Sequence, residues 1–167
     1  LIIIFFVFHF YSENKLIQNT SEIILYFLIS FSFFNVKKNF LYFGDSGCYF
    51  ISIIIFLFIY TELQNYLLIK LIFSIILFPL IDVVYVVFYR IFKKENLLTR
   101  NYLHIYQILS IKTKSKIYLL INAFFPTLNI IIALNFSLSL NLIIFLIILN
   151  IILLLMMRIL IEKLITR

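Results

Sequence analysis

The sequence predicts an all-α fold, a polytopic transmembrane bundle of about six helices with the first one truncated and the C-terminus cytoplasmic. Three observations carry this. Of 167 residues, 65% are hydrophobic and 13% charged, with only two Gly and two Pro, and the mean hydropathy is +1.16. Soluble domains are nearer half apolar and a quarter charged, so a soluble globular domain, a disordered chain and a collagen are excluded. The apolar residues are gathered in long runs without period-2 alternation, which favours helices over barrel strands. The basic residues fall on one side of those runs, as cytoplasmic loops require.

Taken in order, the apolar segments are residues 1–11, 22–36, 48–60, 66–89, 117–135 and 140–157. The first is too short to cross a bilayer, which takes about 20 residues. It has no basic stretch before it and no small-residue cleavage site after it, so it does not read as a signal peptide. The reading is therefore a first helix cut short and a chain that is the C-terminal portion of a longer protein, residues 1–167 forming a single membrane domain. Pro126 lies inside the fifth segment, where membrane helices tolerate it.

Between the segments lie polar stretches at 12–21, 37–47, 61–65, 90–116 and 136–139, and a tail from 158. When alternate stretches are assigned to alternate sides, only Lys15 and Lys70 fall on one side, leaving twelve of the fourteen Lys and Arg on the other. That richer side is cytoplasmic, which places loops 37–47 and 90–116 on the cytoplasmic face. The net charge of +7 is thus explained by topology and needs no nucleic acid. The single Cys48 permits no intrachain disulfide.

Three clusters stand out as chemistry. Both glycines occur in Phe43-Gly44-Asp45-Ser46-Gly47, at the mouth of a predicted helix. Two glycines within four positions mark a tight turn or a close backbone approach, and the free N–H groups of a helix start favour an anion. Asp45 suits a helix cap or a metal ligand and Ser46 a cap; an ordinary capping turn accounts for the same residues.

Asp82 sits in Pro79-Leu80-Ile81-Asp82, in an apolar helix that ends near Arg90, ~12 Å further along at about 1.5 Å per residue. A carboxylate at that depth faces a polar cavity or the bundle interior. Ser74, Asp82, Tyr85 and Tyr89 share roughly one stripe, which suits a cleft open to the cytoplasm; a purely structural hydrogen bond between helices fits equally. The third cluster is Thr99-Arg100-Asn101-Tyr102-Leu103-His104-Ile105, with Arg100 and His104 four apart. An Arg fork suits phosphate and a His can pass a proton, whereas a basic helix lying on anionic lipid would look the same. His9 lacks polar company in its apolar segment and reads as structural.

In order and spacing these clusters resemble the polyprenyl-phosphate N-acetylhexosamine-1-phosphate transferases, the membrane glycosyltransferase family 4 group that includes phospho-N-acetylmuramoyl-pentapeptide transferase. Members show an Asn, then Phe-hydrophobic-Gly-Asp-(Ser/Ala/Thr)-Gly-Ser, then Pro-x-x-Asp on a helix ending in Arg, then Asp-Arg-x-His-x-His-His. Here these read Asn35, Phe43 to Gly47 with Cys48 for the last Ser, Pro79 to Asp82 with Arg90, and Thr99 to Ile105. The likeness spans about residues 35–109. Thr99 replaces the usual Asp, and Tyr102 and Ile105 replace two His. The family's earlier acidic motifs would lie before Leu1, so the chain reads as a fragment of an active enzyme or as part of a degenerate paralogue.

The resemblance implies transfer of a sugar-1-phosphate from a UDP-sugar to undecaprenyl phosphate with release of UMP. That is a step of cell-envelope glycan synthesis (cell wall or polysaccharide) at the cytoplasmic face of a bacterial inner membrane. It implies Mg²⁺ (or Mn²⁺) at Asp45, catalytic roles for Asp45 and His104, and substrate contacts from Asn35, Gly44, Ser46, Gly47, Arg100 and Asn101. Asp82 would support the cleft. The partners implied are the UDP-sugar, undecaprenyl phosphate and membrane lipid, with a homodimer as an allowed assembly. Two other classes stand beside it. One is a transporter subunit with Asp82 as an ion or proton relay, and the other is a lipid-phosphate-binding pseudoenzyme.

Overall fold

Long apolar runs with few prolines leave the backbone one economical way to satisfy its own polar groups, and the chain takes it. The computed structural model describes residues 1–38, 43–96, 103–113, 117–136 and 140–165, and among these there is helix and no strand. The helices are α1 (Ile2–Tyr11), α2 (Lys15–Lys38), α3 (Gly44–Thr61), α4 (Tyr66–Phe92), α5 (Ile105–Thr113), α6 (Ile117–Asn135) and α7 (Leu140–Ile165). All six apolar segments of the sequence are helical. Among the described residues, four stretches are long and apolar enough to cross a membrane: Lys15–Asn35, Gly44–Thr61, Tyr66–Phe92 and Asn141–Ile161. α1 and the Leu119–Asn135 part of α6 are apolar but shorter.

The helices run further than the apolar segments do. The polar stretch expected at 12–21 is mostly helix, because Asn14 caps α2: its side-chain oxygen accepts from the Leu16 N–H at 2.9 Å. Helix likewise extends through Lys38 on one side of the 37–47 loop and from Gly44 on the other, and the tail beyond Arg158 is helical to Ile165. The loop expected at 90–116 contains α5, a nine-residue helix whose Ile105 and Leu109 are buried.

The chain forms two compact units, Leu1–Ile72 and Phe73–Arg167. In the first, α1 packs on α2 and buries Phe5 and Phe8. The Phe58 ring of α3 meets Phe8 edge-on at 5.2 Å. The loops on either side of Ser12 and Glu62, which alternation of the spans puts on one side, are tied together. The Ser12 hydroxyl and the Asn14 N–H donate to the buried Glu62 carboxylate, and Asn65 Nδ2 donates to the Tyr11 carbonyl at 2.8 Å.

In the second unit, Phe78 of α4 stacks on Phe125 of α6 at 4.2 Å. Ile105, Leu109, Leu154 and Ile161 complete that core, so that α5 rests on α6 and α7. A polar knot lies deeper. Asn129 and Asn150 exchange reciprocal amide hydrogen bonds of 3.1 and 3.0 Å, and Asn129 Nδ2 also donates to the Ser74 carbonyl at 3.1 Å. Both amides are fully buried, while large apolar side chains such as Phe73, Phe88 and Phe145 face outward. Polar inside and apolar outside is the arrangement suited to a lipid surround.

α4 ends in a Schellman turn. The Glu95 N–H donates to the Arg90 carbonyl at 2.9 Å and the Lys94 N–H to that of Ile91 at 3.0 Å. The left-handed position of that turn is Lys94, at φ 54°, where glycine is usual.

Candidate functional site

Asp82 is delivered by α4, one turn after Pro79, and is buried. Each of its oxygens has its own partner. His104 Nδ1 donates to Oδ2 at 2.9 Å, and Arg158 Nη2 donates to Oδ1 at 3.1 Å. A carboxylate only accepts, so Nδ1 carries the proton in that contact, and the chemistry left to the ring is at Nε2. His104 comes from the turn that opens α5, where its carbonyl accepts from the Gln107 and Ile108 N–H groups at 3.0 and 2.9 Å. Burial of Ile105 and Leu109 on α6 and α7 holds that turn in place.

Arg158 joins the pieces. The Nη2 that reaches Asp82 also donates to the Leu103 carbonyl at 3.0 Å. The guanidinium lies over the Tyr85 ring, 3.9 Å from its centroid, a cation–π contact out of bulk water. The side chains of Asp82, Arg158 and His104 are 8%, 14% and 21% exposed, so solvent screens these charges weakly and His104 is the most accessible of the three. Tyr106 stacks parallel to the His104 ring at 5.8 Å. Its hydroxyl is pushed above the ordinary tyrosine range, by burial first and then by the negative charge of Asp82, with a Gln107 hydrogen bond opposing.

Of the residues picked out in the sequence, Asp82 and His104 thus meet directly across 22 positions. Asp82 holds a histidine and an arginine at once. Ser74 and Tyr85 share its helix, but the Ser74 carbonyl accepts from Asn129 and the Tyr85 ring lies against Arg158. Arg100 and Asn101, with Thr99 and Tyr102, lie outside the described residues.

The Gly44–Gly47 turn belongs to the first unit. Gly44 has φ +69°, and a Cβ there would meet nothing within 4 Å, so conformation alone demands glycine. Gly47 is different: a Cβ would come 2.8 Å from Phe43 Cδ1. The Phe43 ring closes over it and packs edge-on against Phe31 at 5.1 Å. An apolar groove runs from there between α2 and α3, lined by Ile23, Phe27, Phe31, Phe50 and Ile51. Asp45 and Ser46 stand exposed in the first turn of α3, and Asn35 is half-buried near the end of α2.

Among the described residues no three His, Cys, Asp or Glu side chains converge as a metal cluster. Asp45 alone offers an exposed carboxylate at a helix start. That donor set fits Mg²⁺, which is commonly held by one or two carboxylates together with substrate phosphates and water. It does not fit a metal caged by protein alone.

Arg158 was not distinguished by sequence, where it counted only as one of the cytoplasmic charges. The signal was there in Met156-Met157-Arg158-Ile159-Leu160, a lone cation between apolar neighbours. A buried carboxylate needs such a partner. Comparisons with protein-family models, with curated proteins and with solved structures return no match to this chain.

Proposed function

We propose that the chain is a membrane-embedded part of a transferase of the glycosyltransferase family 4 type. It would move an N-acetylhexosamine-1-phosphate from a UDP-sugar to undecaprenyl phosphate at the cytoplasmic face of a bacterial inner membrane. In this reading about six helices cross the membrane and the C-terminus is cytoplasmic. The observation that carries it is the 2.9 Å contact of His104 with Asp82. Two residues from separate motifs of the resemblance form one acid–histidine pair.

A lipid-phosphate oxygen forms a bond to the β-phosphorus of the UDP-sugar, and the bond from that phosphorus to the UMP oxygen breaks. Such displacement asks the protein for positioning and charge neutralisation more than covalent chemistry. Asp45 would hold Mg²⁺, which supplies charge neutralisation to the phosphates when bound. The Nε2 of His104, oriented through Nδ1 by Asp82, would accept from a hydroxyl of the sugar, with Arg100 and Asn101 at the diphosphate. The resemblance also gives substrate contacts to Asn35, Ser46 and the Gly44 and Gly47 backbone.

The test is UDP-sugar-dependent UMP release by membranes carrying the protein and supplied with undecaprenyl phosphate. Asp45→Asn should abolish release while the protein still folds; full release by that variant would remove Asp45 as the metal ligand. A pseudoenzyme is the second reading, favoured by Thr99, Tyr102 and Ile105 standing where the family has Asp and His. It expects lipid-phosphate binding with no UMP formed.

A further inference from the structure

Asp82, His104 and Arg158 raise a question that the transferase reading leaves unanswered: why a carboxylate that orients a histidine should also be given an arginine. A carboxylate alone can orient an imidazole, and burying a third charged group carries a desolvation cost. Neutralising Asp82 accounts for a cation at this place, and Arg158 does one thing more. The distances show what that is. Its Nη2 gives one hydrogen to Asp82 Oδ1 at 3.1 Å and another to the Leu103 carbonyl at 3.0 Å. One nitrogen on α7 thus holds the side chain that receives His104 Nδ1 and the peptide that leads into His104.

We infer that Arg158 is a positioning residue. It fixes the His104 ring as the Nδ1–H tautomer facing Asp82, with Nε2 kept as the acceptor for whatever His104 serves. His104 stands in a turn ahead of a short helix, and a turn residue keeps several rotamers unless its backbone is held. Asp82 likewise can rotate about its Cα–Cβ bond. Arg158 removes both freedoms, and its own planar guanidinium rests over the Tyr85 ring, 3.9 Å from its centroid. Among the described residues, the charged or titratable groups that the structure places on the imidazole or on its partner are Asp82 from α4, Arg158 from α7 and Tyr106 from α5, whose ring stacks on it. Of these, Arg158 alone touches both things that orient His104. A lysine would keep the positive charge, but it is shorter by about one bond and has no planar face for Tyr85.

The inference deepens the transferase reading and rests on it only for the use to which Nε2 is put; the tautomer itself is measured without any substrate. The protein in detergent micelles, with ¹⁵N-labelled histidine, gives ring-nitrogen spectra in which His9 and His104 are the two signals, since the chain has two histidines. In the parent protein His104 should show the Nδ1–H form as the major tautomer. Arg158→Lys, which keeps a countercharge for Asp82 and so the fold, should shift His104 at least threefold toward the Nε2–H form that a free histidine side chain prefers. Arg158→Gln should shift it further, and His9 should stay unchanged in both. An unchanged His104 tautomer in folded Arg158→Lys overturns the inference, as does a parent protein in which Nε2 carries the proton. Failure of UMP release with the tautomer shift intact counts against the transferase reading alone. In an active preparation, Arg158→Lys should lower kcat at least tenfold with KM within twofold, and loss confined to KM would assign Arg158 to substrate binding instead.

Discussion

Replacing Asp82 by Asn tests the cluster with the least change of shape. The amide oxygen of Asn can still accept from Arg158, but its NH₂ then faces the donor Nδ1 of His104, and the guanidinium loses its countercharge. Removing one partner of a buried ion pair costs about 3–5 kcal/mol, because the survivor stays buried and uncompensated. Arg158 is 14% exposed and His104 21%. One hydrogen bond also survives, so the cost falls at or just below the low end, and Asp82→Asn should cost about 2–3 kcal/mol. The double variant Asp82→Asn/Arg158→Gln leaves no orphan charge. It should be more stable than the sum of the singles predicts, by about 1–2 kcal/mol of coupling. Equilibrium unfolding in mixed micelles, titrated with a denaturing detergent and followed by helical circular dichroism, measures all four proteins. A cost below about 0.5 kcal/mol, or strict additivity, would refute the description of this cluster as a buried, mutually compensated set.

The Asn129–Asn150 pair should behave the same way on a smaller scale. Asn129→Leu leaves a buried amide short of partners and should cost about 1–2 kcal/mol, whereas Asn129→Leu/Asn150→Leu should cost no more than the single change in the same unfolding assay. Lys94→Gly should raise stability by about 1 kcal/mol, since Lys94 occupies a left-handed position at φ 54°; a loss would mean the Lys94 side chain makes a compensating contact. Tyr106 titrates above the ordinary tyrosine range, so folding favours its neutral form. That stabilisation is complete below the unfolded value of about 10 and is lost as pH rises through the folded value. The tyrosinate absorbance of the parent minus that of Tyr106→Phe should therefore show a midpoint above that of free tyrosine, falling when Asp82→Asn removes the second cause. A midpoint at the free-tyrosine value contradicts the assignment.

What local sequence could reveal, it revealed through properties that need no partner. Long apolar runs are helical because a chain of such residues satisfies its backbone most cheaply within each segment, and the six runs emerge as α1 to α4, α6 and α7. The paired glycines of residues 44 and 47 did mark a tight turn. Their reasons differ, however, and only the Phe43 ring lying over Gly47 separates them. α5 was hidden in a loop. Nine residues form a marginal helix alone, and this one is held by burying Ile105 and Leu109 on α6 and α7.

Asp82 was visible as a carboxylate out of place, and His104 as a histidine in a polar loop, because composition alone makes each unusual. Their meeting was not visible, since it depends on how α4 and the α5 turn pack. Arg158 is the clearest case: burial obliges Asp82 to find a cation, yet twelve of the fourteen Lys and Arg lie on the same predicted face. The obligation is set by the physics of a charge in a weakly polarisable interior and can be read from one residue. The choice of partner, 76 positions away, belongs to the packing of α7 beside α4, which brings one guanidinium within 3.1 Å of Asp82.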